Sequence, residues 1–170
     1  MNSKIKEQIR HEISVILDEE DGRGIIHTVS YALGDTLRNL SNRLIFHNSL
    51  DKEVQFQKFI KTPGSVFVSP SSTRGVDLKG ELGRWAVILK CPYLSLGDYH
   101  IQQRLFNSGK WGSLWYSSQA ADNIVQACGR IVRDFDDYGT TYILDMQIGK
   151  LLKRNANLFP RWWRDSVEYE

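Results

Sequence analysis

The sequence predicts an α/β domain, a mostly parallel sheet of five or more strands with helices on both faces. Three observations carry this. Five short apolar runs rich in β-branched residues recur along the chain: GIIHTV at 24–29, RLIF at 43–46, SVFVS at 65–69, WAVILK at 85–90 and TTYILDM at 140–146. These runs are continuous rather than alternating, as expected of parallel strands covered on both faces. Segments with apolar residues at helical spacing separate most of them.

Taken in order, residues 3–19 read as a helix, with Ile5, Ile9, Ile13 and Ile16/Leu17 on one face and Ser3 as a cap. The acidic run 18–21 and Gly22 end it, and the first strand follows. Ser30-Tyr31 leads into a second helix at about 33–40, and the second strand at 43–46 turns through HNSLD. Ser49 or Asp51 should cap a helix over 51–61, which Thr62-Pro63-Gly64 stops before the third strand. After the fourth strand, 91–118 is looser, with a helix expected near 98–106 and the start of a longer one from Leu114. Gly139 turns the chain into the fifth strand, a helix follows at 148–153, and the Phe159-Pro160-Arg161-Trp162-Trp163 tail reads as a short helix docked by its aromatics.

Residues 119–133, QAADNIVQACGRIVR, hold the chemistry. Read as one helix, they put Gln126, Arg130 and Arg133 in a narrow stripe at i, i+4 and i+7. Ala120, Ala121, Ile124, Cys128 and Ile131 lie opposite, so one face is buried while two guanidiniums and an amide project from the other. Asp122 shares the polar side, and a solvated face is the plain alternative. A second stretch, SPSSTRGVDLKG at 69–80, follows a predicted buried strand, where open parallel sheets place ligands. Ser71, Ser72 and Thr73 offer hydroxyls, Gly75 lets backbone approach closely, and Asp77 can accept from a ribose hydroxyl. The plain alternative is a polar turn closed by Asp77. At the end of the first strand, Ser30 could bond a phosphate and Tyr31 stack on a base, or the two could simply cap and pack the next helix.

Gln126-x-x-Gly129-Arg130-x-x-Arg133 resembles motif VI of superfamily 2 helicases, and the run on to Asp137-Tyr138-Gly139 is similar to their xeroderma pigmentosum group D (XPD) and DinG-like branch. Ser72-Thr73-Arg74-Gly75-Val76-Asp77 looks like motif V, with Arg74 where the branch often has an acidic or bulky residue, and GIIHTVSY resembles the motif IV region. The resemblance runs from about Gly22 to Trp163. It implies a RecA-like second motor lobe in which Arg130 and Arg133 reach the ATP phosphates and Gln126 supports them. It also implies that Asp77 and the Gly75 backbone face the nucleotide, while Ser71–Thr73 face the nucleic-acid backbone, with Ser30 and Tyr31 beside them. Phosphoryl transfer spreads negative charge over the moving group, which a planar guanidinium fork stabilises better than an ammonium.

Composition sets limits. Net charge is +2, so any nucleic-acid contact comes from a local patch or from backbone amides. Cys91 and Cys128 lack metal-type spacing and suit buried thiols in a reducing compartment, cytoplasmic or, in a eukaryote, nuclear. His11, His27, His47 and His100 are scattered, which argues against a histidine metal site. No apolar run approaches the ~20 residues that span a bilayer, and the charged start has no signal-peptide core. Trp111, Trp115 and Tyr116 suit a core or lobe–lobe interface more than a nucleic-acid channel, and Trp162 and Trp163 read as packing anchors. In ILDMQ, Gln147 stands where the branch commonly has an Arg, so no buried pair with Asp145 is expected.

The sequence contains no G-x-x-x-x-G-K-[ST] phosphate cradle and no DEAH-like acidic pair after a strand. The expectation is therefore a single domain over 1–170, one half of a composite site, with Mg-ATP held mainly by a first RecA-like lobe in another segment or subunit. The branch's iron–sulfur cysteines would belong to that lobe as well. Single-stranded DNA and the first lobe are the expected partners, with no membrane. Alone, the chain should be monomeric and inactive. The alternative is a non-catalytic nucleic-acid- or protein-binding module on the same fold.

Overall fold

A computed structural model of the chain describes residues 3–70, 78, 80–132 and 137–169. Five strands form one all-parallel sheet: β1 (Gly24–His27), β2 (Leu44–Phe46), β3 (Val66–Ser69), β4 (Trp85–Ile88) and β5 (Thr140–Ile143). Their order is β2-β3-β1-β4-β5. Every residue of β1, β3 and β4 is buried, which is why these runs carry no polar alternation. The edge strand β5 begins with an exposed Thr140.

Side chains alternate between the two faces. On one face, α1 (Ser3–Glu19) packs Ile13, Ile16 and Leu17 with Leu33 and Leu37 against Ile26, Val66, Val68, Trp85 and Val87. On the other, Phe59 of α3 (Lys52–Lys61) joins Ile25, Ile45, Phe67, Ala86 and Ile131. Ala120, Ala121, Ile124 and Ala127 of α5 (Gly109–Cys128) cover Ile88 together with Ile148 and Leu151 of α6 (Met146–Arg154) and Trp163 of α7 (Arg161–Asp165). The short α2 (Tyr31–Gly34) runs on as a 3-10 turn, and α4 (Tyr99–Asn107) precedes α5.

Four expectations change in detail. The helix expected over 119–133 ends at Cys128, so Arg130 stands beyond the helix rather than on a shared stripe with Gln126. The Gly129 amide still reaches the Val125 carbonyl, at 2.9 Å, but Arg130 N–H bonds only three residues back, to Ala127 at 3.3 Å. Ile131 draws the chain inward. It is buried between Gly83 and Gly139, where an added Cβ would come within 3.3 and 2.8 Å of its side chain. Next, Asp51 does not cap α3 with its side chain; its Oδ1 accepts from the Asn48 amide instead, at 2.7 Å. Third, α5 begins at Gly109, earlier than Leu114. Lastly, Trp163 is a packing anchor, stacked on Phe159 at 4.8 Å, whereas Trp162 is exposed.

One structural clamp had no signature in the sequence. The Arg43 guanidinium donates to four backbone carbonyls, Leu17 at 2.6 Å, Glu20 at 2.6 Å, Gly22 at 2.9 Å and Gly64 at 2.7 Å. It thereby satisfies carbonyls that the end of α1 leaves free.

Candidate functional site

The carboxyl ends of the three central strands form one edge. The Thr28 amide donates to Ser69 O and the Leu89 amide to His27 O, both at 3.0 Å, so the segments after β1, β3 and β4 leave the sheet side by side. In open parallel sheets this is where ligands bind. Val29 lies in the left-handed region at φ 63°, a conformation that costs a β-branched residue on the order of 1–3 kcal/mol. The strain sits on the segment that carries Ser30 and Tyr31.

Ser30 fills the capping role. It is extended, and its Oγ accepts from the Leu33 amide at 3.2 Å, starting α2. Tyr31 is exposed, with its ring edge-on to His47 at 5.5 Å. Ser69 is fully buried at the end of β3, and Pro70 follows. Ser71, Ser72, Thr73, Gly75 and Asp77 lie outside the described residues, as does Arg133. Gln126 is exposed on the last turn of α5, next to Ala127.

Arg130, just past the end of α5, is half-buried. Its charge acts on His27, the last residue of β1. His27 is only 2% exposed, and among the described residues neither ring nitrogen has a hydrogen-bond partner. Burial first, and the Arg130 charge second, lower its pKa to about 4, so the ring is neutral at physiological pH. His27 lines a narrow, mostly apolar space of about 10 Å³ with Val29, Pro70, Ile88, Lys90, Pro92 and Ala127. That is at most the room one water needs.

The other residues singled out from the sequence serve the scaffold. Asp137 pairs with Arg84 at 2.8 Å, and the Arg84 guanidinium lies 4.4 Å from the centre of the Tyr138 ring. These residues sit at the amino end of β4, away from the edge above. Asp145 caps α6 through the Gln147 amide and accepts from the Cys91 amide at 2.8 Å; Gln147 is exposed. Trp115 is half-buried under Arg104 at 4.2 Å, the Tyr116 hydroxyl donates to Leu94 O, and Trp111 is exposed. Burial pushes the Cys91 thiol up to about 12, and Cys128 is raised for the same reason, so both behave as packing thiols.

Sequence reasoning missed His27 and His47. The available signal was their position: each is the first polar residue after an apolar strand run.

A family model described as the helicase C-terminal domain matches residues 13–166. The chain belongs to the helicase C-terminal domain family. Within that family it is similar to the ATP-dependent DNA helicase YoaA of Escherichia coli (strain K12), with 24% identity over 154 residues, 83% of this chain and 24% of that protein. YoaA of Haemophilus influenzae is 25% identical over 150 residues, and the regulator of telomere elongation helicase 1 homolog of Caenorhabditis briggsae 23% over 107. The chain thus spans about a quarter or less of these relatives. Among solved structures, an XPD helicase matches with a TM-score of 0.75 at 18% identity, covering 93% of this chain and 31% of that one. Xpd4 of S. tokodaii gives 0.65 at 18%, covering 92% and 33%. The fold is therefore the RecA-like fold of the XPD structures.

Proposed function

We propose that the chain is the second motor lobe of an ATP-dependent DNA helicase. It supplies Arg130 and Arg133 to a composite ATP site and backbone-directed contacts to single-stranded DNA. The observation that supports this reading is Arg130, a half-buried cation just past α5 whose charge acts on His27 at the carboxyl end of β1, in a chain of the helicase C-terminal domain family.

The residues in hand fit part of the nucleotide. Arg130 and Arg133 are suited to spread phosphate charge, with Gln126 in support and Gly75 and Asp77 as the further candidate contacts to the nucleotide. Mg²⁺ is assigned to the first lobe, because this sequence has no phosphate cradle with its metal-binding hydroxyl. ATP, when bound, supplies the transferable phosphoryl group. What this chain does is present guanidiniums to it when the two lobes close. Tyr31 and the hydroxyls of Ser71, Ser72, Thr73 and Ser30 hold single-stranded DNA without reading its sequence. The Ser30 hydroxyl, already accepting from Leu33, keeps its proton to donate to a phosphate. Closing and opening of the lobes then couples hydrolysis to movement along the strand.

Fluorescence anisotropy with labelled oligothymidylate, run as salt is raised, tests the nucleic-acid half. A parallel assay of ATP turnover by the purified chain tests the nucleotide half. Weak binding that fades with salt, and no turnover above a contaminant control, are expected from a net charge of +2 and a sequence without a phosphate cradle. Tight, sequence-selective duplex binding that survives high salt, or turnover by the chain alone, would contradict the reading.

A further inference from the structure

His47 ends the β2 run and is 7% exposed. Both of its ring nitrogens are engaged. Nδ1 lies 2.9 Å from the Asn48 carbonyl, which can only accept, so Nδ1 carries the proton. Nε2 is hydrogen-bonded to Ser69 Oγ at 3.0 Å. The ring is stacked on Phe67 at 5.0 Å with an 8° tilt, and the Tyr31 ring stands edge-on to it at 5.5 Å and 81°. Two hydrogen bonds fix the direction of the imidazole in its plane, and Phe67 fixes the plane itself.

Those contacts join three strand ends. Tyr31 follows β1, His47 follows β2 and Ser69 closes β3, just before Pro70 and the 71–77 segment. Tyr31 has one edge contact on the inner side and solvent on the other. A ring meant only to fill the core needs no doubly hydrogen-bonded histidine beside it. A ring held out as a stacking platform needs a rigid backing whose own polar atoms are satisfied.

We propose that His47 is a positioning residue for single-stranded nucleic acid: held by Ser69, Asn48 and Phe67, it fixes the Tyr31 ring in the orientation in which that ring meets the strand. This rests on the proposed reading of Tyr31 as a base platform and adds a residue that touches no ligand itself. Its action is through coupling. The binding contributed by Tyr31 depends on His47, and that contributed by His47 passes through Tyr31.

A double-mutant cycle tests this. Affinity for oligothymidylate is measured by anisotropy for the wild type, Tyr31→Ala, His47→Leu and the double variant, with thermal melts alongside. Each single change should weaken binding on the order of tenfold, as loss of one stacked base does, and the double should be less than about twofold weaker than either single variant. If the two losses multiply, or if His47→Leu binds as the wild type does while Tyr31→Ala is weakened, the inference is overturned and the reading of Tyr31 stands. If Tyr31→Ala binds as the wild type does, both fall. Should His47→Leu fail to fold, imidazole NMR of the wild type decides. Oligothymidylate should shift the His47 ring signals and leave those of the exposed His11 and His100 in place. An unmoved His47 ring overturns the inference.

Discussion

His27 is a histidine buried without a partner among the described residues, at a position where the chain could have kept an aliphatic side chain. Its titration has a consequence for stability. Folded, its pKa is lowered to about 4 from 6.5, so between those values the unfolded chain binds more protons than the folded one. Stability is therefore fully present above about pH 6.5 and is lost as pH falls toward 4, by about 2 kcal/mol at pH 5 and about 3 kcal/mol in full. Urea melts at pH 7 and pH 5 should show this loss in the wild type and a smaller one in His27→Phe; equal losses would mean that the ring is not buried as described. The charges facing the ring are Arg130 and, around the same space, Lys90, both cationic. Arg130→Gln should accordingly raise the His27 pKa measured by NMR, though only partway to 6.5, because burial is the larger cause. An unchanged pKa would remove Arg130 from the strand-end edge.

At the scale of the element, the decisive feature is how α5 ends. An arginine on an intact helix would point wherever the helical stripe pointed. Here the helix stops at Cys128, Ile131 is sunk between Gly83 and Gly139, and the Arg130 charge acts on His27 at the end of β1. The anchoring depends on two positions that lack a Cβ. Gly139→Ala would put a methyl 2.8 Å from Ile131 Cδ1 and 3.0 Å from Arg84 O, an overpacking that should cost about 1–3 kcal/mol. Adding Ile131→Val should recover part of that loss in chemical denaturation, because it shortens the clashing side chain. No recovery would indicate that Gly139 serves the backbone and not the packing of Ile131. The same two glycines hold the amino end of β4, where Arg84 fastens Asp137 and Tyr138, so the Asp-Tyr-Gly run that resembles the helicase branch acts here as a brace for the turn into β5.

For the molecule as a whole, the continuous apolar runs located all five strands, because a sheet covered on both faces leaves its mark on every residue of a strand. Helical spacing located α1, α3 and α4 nearly to their ends for the same kind of reason. The sequence did not reveal what depends on contacts between distant segments. Gly129 does not announce that α5 ends, since the stop is set by Ile131 finding room beside Gly83 and Gly139, 48 and 8 positions away. Arg43 looks like any surface arginine until two separate segments, the end of α1 and the turn at Gly64, bring their carbonyls to it. His27 and His47 read as scattered residues because the pattern that matters, adjacency of strand ends, exists only once the strand order β2-β3-β1-β4-β5 is known. Ser30 and Tyr31 were legible as a pair at a strand end, yet only the structure separates their roles, one capping α2 and the other presented to solvent.

The central claim is that Arg130 and Arg133 act on the phosphates of ATP bound mainly by another lobe. Steady-state ATP hydrolysis, with and without single-stranded DNA, by this chain joined to a first lobe that carries the phosphate cradle tests it most directly. The wild type should turn over ATP when DNA is present. Arg130→Ala and Arg133→Ala should each lower that rate on the order of 10³-fold with the melting curve nearly unchanged, and Lys at either position should rescue little for want of the planar fork. Normal turnover by both variants would contradict the claim, and so would loss of folding by both, which would make the two arginines part of the scaffold.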